Sequence, residues 1–179
     1  VPQERPCRCC ADLLHEGVDA AEQFRISTGV RRSSSVVGML DSITQSQIFV
    51  LDQDAALDFY VGKLGFEVNT DEDLGFMRWL CVRVPGDPAR EILLDRPAAP
   101  IMDEATAAQA RDLLSKGAMA GSIFLTTDDA QTTFETLRDR GVEVTDEPTT
   151  RPYGIDFGIR DPFGNAIRIG QMFDTGVSW

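Results

Sequence analysis

QSQIFVLDQDAALDFYVGKLGFEV, residues 45–68, carries the architecture of this chain. Residues 45–51 read as a strand with one buried face. Asp52 follows with the chemistry of a helix N-cap. Residues 53–64 put Ala56, Phe59, Tyr60 and Leu64 on one helical face, and Gly65 supplies the stop. Phe66-Glu-Val then opens another strand.

The same grammar returns at SIFLTTDDAQTTFETLRDRGVEV, residues 122–144. Residues 123–127 form a strand, Asp128 and Asp129 open a helix faced by Phe134 and Leu137, and Gly141 closes it. At an offset of 75, Phe49 matches Phe124, Asp54-Ala55 matches Asp129-Ala130, and Phe59 matches Phe134. With one inserted residue, Gly65, Glu67 and Val68 match Gly141, Glu143 and Val144. Further strands follow each helix, at 76–84 and 91–94, then at 156–160 and 166–170. Turn chemistry at 85–88 and 161–165 joins them. Asp71-Glu-Asp73 reads as a solvated turn, and 103–116 as an Ala-rich linker helix ending at Gly117. The body is thus two β-α-β-β-β units. Its divisions are an extension at 1–40, modules at 41–97 and 120–172 with a linker at 98–119, and a tail at 173–179.

The 179 residues are 42% apolar and 26% charged, an ordinary globular composition, so no staple is needed to bury a core. No run of eighteen apolar residues occurs to span a bilayer. The net charge is -12, and residues 1–40 balance five basic against five acidic side chains, so the deficit belongs to the body. A body that acidic repels phosphate backbones and anionic lipid, which argues against nucleic acid and membrane partners. The single histidine, His15, lies in the extension. No two-histidine metal site and no Ser-His-Asp or Cys-His arrangement can be assembled in the body. Cys7, Cys9 and Cys10 lack the second pair a zinc site needs, and Cys81 has no base beside it. Four unpatterned cysteines fit a cytoplasmic protein. The extension has no signal-peptide core, and Met39 stands where a natural start would fall.

Phe49-Val-Leu-Asp52, Phe59-Tyr60 and Leu64-Gly65-Phe66 resemble the first module of the vicinal-oxygen-chelate superfamily. That group holds glyoxalase I, bleomycin-resistance proteins, fosfomycin-resistance enzymes and extradiol dioxygenases. Arg160-Asp-Pro-Phe-Gly-Asn165 is similar to its second-module hairpin. The resemblance spans about 43–171 and implies an α+β fold: two tandem βαβββ modules curling into a cup, often completed in a homodimer. Metal-dependent members hold an ion at four cup-facing positions, which fall here on Gln45, Leu93, Ser122 and Arg168. Leucine has no donor atom, serine is a poor neutral ligand, and arginine has no lone pair to offer. The resemblance therefore implies the cup but not its metal.

Strand parity then assigns the faces. Gln45, Gln47 and Phe49 face the cup, with Glu91, Leu93 and Asp95. Ser122, Phe124 and Thr126 face it from the second unit, with Ala166 and Arg168. Trp79, Met77, Tyr153 and Phe157 are placed near its walls. Such a set suits a small organic ligand, anionic or aromatic, with Gln45, Gln47, Trp79, Ser122, Phe124, Tyr153, Phe157 and Arg168 in contact with it. Arg168 would grip a carboxylate or phosphate, or else pair with Glu91. No cofactor is expected on this reading. The alternative is a glyoxalase-type lyase or isomerase in which Gln45 and Glu91 hold one divalent ion and Glu91 is the base. A third possibility is a fold used only for dimeric assembly.

Overall fold

A computed structural model describes residues 41–118 and 121–174. The extension 1–40, with its three cysteines, His15 and Met39, lies outside the described residues, as does 175–179. The first module runs β1 (Gln45–Phe49), α1 (Gln53–Leu57), β2 (Glu67–Asp73), β3 (Arg78–Arg83) and β4 (Glu91–Asp95). Helix α1 continues into a π-helical stretch, Asp58–Lys63. After α2 (Glu104–Ser115) come β5 (Ser122–Thr126), α3 (Ala130–Asp139), β6 (Glu143–Arg151), β7 (Gly154–Arg160) and β8 (Ala166–Met172). The two sheets have equivalent orders, β1-β4-β3-β2 and β5-β8-β7-β6. In each, the first strand lies parallel to the last and the other pairings are antiparallel. This is the α+β tandem-module fold. Among the described residues no helix is long and apolar enough to cross a membrane.

Capping explains why the helices start and stop where they do. Asp52 accepts hydrogen bonds from the Asp54 and Ala55 N–H groups, and Asp129 accepts one from that of Thr132. Gly65 and Gly141 follow the helices with φ of 79° and 69°, a conformation that disfavours any Cβ. The caps also correct the repeat register. The N-caps Asp52 and Asp129 are 77 positions apart, while the C-caps Leu64 and Arg140 are 76 apart. The additional residue of the first unit is taken up in the π-helical stretch, the usual trace of an insertion into a helix. Phe124 therefore corresponds to Gln47 rather than to Phe49. A second correction concerns Asp71-Glu-Asp73, which is the end of β2 rather than a turn. Arg78 across the ladder holds Asp71 there, Nε to Oδ1 at 2.7 Å.

One side of each sheet packs on the helices. Ile48, Val50, Leu80, Val82 and Leu94 from the first sheet join Phe157, Ile159, Ile167 and Ile169 from the second in one buried cluster with Phe59, Tyr60, Phe134 and Leu137. Each such side chain contributes about 1.5–3 kcal/mol through burial. Phe157 belongs to this core and not to the cup wall: it is 0% exposed and meets the Phe134 ring edge-on at 5.6 Å. Asp156 and Gly158, its neighbours in β7, point the other way. The cup faces are the opposite sides of the two sheets.

Candidate functional site

Parallel pairing brings Gln45, Gln47 and Phe49 of β1 beside Glu91, Leu93 and Asp95 of β4, as strand parity requires. Gln45 Nε2 donates to Glu91 Oε1 at 2.8 Å and to Cys81 Sγ at 3.2 Å, and Asn69 donates to Glu91 Oε2. Gln47 Nε2 donates to Asp95 Oδ2 at 2.9 Å. Burial raises the Asp95 carboxyl above its ordinary value, against the opposing Arg96 N–H. Cys81 is fully buried and its thiol is pushed up to about 11, by burial first and then by the Glu91 charge. That makes it an inert core thiol rather than a nucleophile. Trp79 is half-buried, two residues along β3 on the same side as Cys81.

The second module repeats the pairing: Ser122, Phe124 and Thr126 stand beside Ala166, Arg168 and Gly170. Leu93 and Arg168 are therefore equivalent, as are Gln45 and Ser122. Arg168 does not reach Glu91, contrary to one expectation. Its Nη2 lies 2.9 Å from Asp156 Oδ1 and 3.1 Å from Asp146 Oδ2, and Nη1 lies 3.3 Å from Asp146 Oδ1. The remaining nitrogen, Nε, is buried and has no hydrogen-bond partner among the described residues. Tyr153 donates its hydroxyl to Asp156 Oδ2 at 2.8 Å. Burial by itself would raise the Asp156 carboxyl, but Tyr153 and Arg168 outweigh it and hold the group below its ordinary value. The guanidinium is thus answered by carboxylates of its own sheet.

Phe124 is 76% exposed on this face. With Tyr153, Asp156, Arg168, Met172 and Arg90 it lines a cavity of about 380 Å³. A neighbouring cavity of about 290 Å³ touches Phe124, Ser122, Gln47, Glu91 and again Arg90. The structure so brings together Phe124, Tyr153 and Arg168, and beside them Gln47, Ser122 and Glu91. Gln45 and Trp79 line neither cavity. Asp146, Asp156, Met172 and Arg90 are site residues that sequence reasoning missed. The alternation Ile155-Asp156-Phe157-Gly158-Ile159 was the available signal for Asp156, since it puts the polar residue opposite the apolar ones. Arg90 sits in a turn and gave no periodic signal.

The donor set does not fit the metal of the metal-dependent relatives. Of the four positions, Leu93 lacks a lone pair, Ser122 offers only a neutral hydroxyl, and Arg168 is a cation pinned between two carboxylates, which leaves the Gln45 amide oxygen as the one good donor of the set. Among the described residues no three His, Cys, Asp or Glu side chains converge to hold an ion.

A family model described as Glyoxalase/Bleomycin resistance protein/Dioxygenase superfamily matches residues 40–169. The uncharacterized protein YurT of Bacillus subtilis is 34% identical over 130 residues, covering 72% of this chain and 98% of that one. Among solved structures, UcmS2 is 39% identical with a TM-score of 0.70, covering 74% of this chain and 99% of that one. TnmS3, an antibiotic binding protein from Streptomyces sp. CB03234, is 30% identical with a TM-score of 0.60, covering 76% and 99%.

Proposed function

Because this chain belongs to the glyoxalase/bleomycin resistance protein/dioxygenase superfamily, we propose that it binds a small aromatic organic molecule, without a metal, in the cavity under Phe124. One observation carries this reading: a phenyl ring 76% exposed to solvent on a sheet face, lining with Tyr153 and Met172 a cavity of about 380 Å³. An exposed large apolar side chain inside a concavity with few polar groups is what a ligand pocket offers. The volume suits a drug-sized ring system. That TnmS3 is an antibiotic binding protein supports a small organic ligand. Metal independence rests on the donor chemistry of Leu93 and Arg168.

Trp79 and Gln45, on the cup face of the first module, would be reached when a second copy of the chain closes over the sheets, so we infer a homodimer. Light scattering in solution tests it, and a monomer mass refutes it. We infer a cytoplasmic place from four cysteines without a disulfide pattern in the sequence. The function is tested by calorimetry and thermal shift against a panel of aromatic antibiotics, together with metal analysis of protein purified without chelators. Saturable binding by metal-free protein is the expected result. One divalent ion per chain would overturn it in favour of the lyase with Gln45 and Glu91 as ligands. Silence across the panel would favour an assembly role.

A further inference from the structure

Arg90 ends the connection from β3 to β4, and its side chain is 75% exposed. Its one ion pair among the described residues, with Asp87, is long at 3.6 Å. A pair that open and that exposed is worth little and leaves the guanidinium available. Arg90 nonetheless lines both cavities described above and a third of about 360 Å³ bounded by Leu64, Thr133 and Leu137. Phe124 and Leu125 are the residues it shares with all three, so the three hollows adjoin along Arg90, Phe124 and Leu125.

The other cations near the cleft are committed. Arg168 lies between Asp146 and Asp156, and Arg83 is held by Glu67 at 2.6 Å. An acidic group on a ligand would have to displace carboxylates from either one. We propose that Arg90 is the specificity-determining residue of the cleft: it closes over a flat aromatic ligand seated on Phe124 and selects those carrying an acidic substituent, a sulfonate or carboxylate. A guanidinium suits both tasks, since its flat face stacks on a ring while its edge donates paired hydrogen bonds to an oxyanion. The assignment rests on the reading of the cleft as an aromatic-ligand site, and it moves the anion preference from Arg168 to Arg90.

Two fluorescent dyes that share a ring system separate the two claims. 8-Anilinonaphthalene-1-sulfonate carries a sulfonate, and N-phenyl-1-naphthylamine does not. The parent protein is expected to bind both saturably and the sulfonate more tightly. Arg90→Ala should weaken the sulfonate dye roughly tenfold, the scale of one charge-assisted hydrogen bond, and leave the neutral dye within about twofold. Phe124→Ala should weaken both dyes. Arg138→Ala, which removes a positive charge from α3, should change neither. Equal loss of both dyes in Arg90→Ala, or no loss, overturns the role of Arg90 while the aromatic site stands. Failure of the parent protein to bind either dye overturns both.

Discussion

The Tyr60 hydroxyl donates a 2.9 Å hydrogen bond to Asp161 Oδ2, joining residues 101 positions apart. Tyr60 is fully buried in the helix of the first module, and Asp161 opens the turn between β7 and β8 of the second. Asp161 Oδ1 accepts the Phe163 and Asn165 N–H groups, so the carboxylate is fully engaged. Asn165 completes the link: Nδ2 donates to Asp161 Oδ2 and to the Phe49 carbonyl, and Oδ1 accepts the Gly121 N–H. One turn therefore carries polar contacts to β1, to the start of β5 and to the first helix. Burial, then the Asp161 charge, lifts the Tyr60 hydroxyl above its ordinary value, so it stays a donor.

Tyr60→Phe should lower the unfolding free energy by about 1–2 kcal/mol, because Asp161 keeps three other N–H partners. Asn165→Ala should cost more, about 3 kcal/mol, since the Gly121 N–H and the Phe49 carbonyl lose partners in a buried place. Urea denaturation with an unchanged m-value measures both. A smaller loss for Asn165→Ala than for Tyr60→Phe would deny the turn its linking role.

Gly158 faces the cup opposite Arg168, where a side chain has no room. A Cβ built there would stand 2.3 Å from Asp146 Oδ1 and 2.4 Å from Thr145 Oγ1. Both are side-chain ends that can turn away, so Gly158→Ala should fold but push Asp146 off Arg168. The expected loss is about 1–2 kcal/mol. Asp146→Ala, worth roughly 0.5–1 kcal/mol in the parent as a half-exposed pair, should then cost nothing further in the Gly158→Ala background. A double-mutant cycle reads this directly. Additive losses would mean that Asp146 had not moved.

Local rules made most of the fold legible. Caps at Asp52 and Asp129, stops at Gly65 and Gly141 and strand parity each act over a few residues, and their repetition announced two modules. Parity also placed Gln45, Gln47 and Phe124 on the cup side. Phe157 is placed at the wall by strand order alone, whereas parity puts it with Ile155 and Ile159 on the core side of β7. The repeat register slipped because identical residue letters at an offset of 75 outweighed the caps. What could not be read was partnership. Arg168 meets Asp146 only because β6 shifts register between Val144 and Asp146 and again before Thr149, which re-aims its side chains. Nothing local to either residue encodes that meeting.

Arg168→Ala should destabilise the protein by about 1–3 kcal/mol at neutral pH, because Asp156 is then a buried carboxylate whose remaining ion pair, with Arg151 Nε, is long at 3.4 Å. The pH dependence follows from the folded Asp156 carboxyl lying below its ordinary value of 3.8. A depressed carboxyl adds stability in full above the unfolded value and loses it as pH falls through the lower folded one. The gap between parent and variant should therefore be constant from neutral pH to about pH 5 and close below about pH 4. Chemical denaturation across that range is the measurement. A gap that does not narrow at all as pH falls below about 4 would assign the loss to packing of the arginine stem instead.

Asp95 shows the opposite sign. It is 4% exposed, and burial raises its carboxyl above 3.8 despite the Arg96 N–H. The folded state then holds this proton more tightly than the unfolded chain does. Stability from this group is greatest below the unfolded value and falls as pH rises through the folded one. Asp95→Asn removes the charge and can keep both contacts. The new amide oxygen accepts the Arg96 N–H, and the Gln47 amide turns over so that its oxygen faces the new NH₂. The variant should be at least as stable as the parent at pH 7, and that advantage should vanish at pH 3, where the parent carboxyl is itself protonated. Unfolding free energies at the two pH values check it. A marked loss at pH 7 would show instead that the ionised carboxylate is bound by a cation, Arg96 or Arg78 being those beside it in the adjoining cavity.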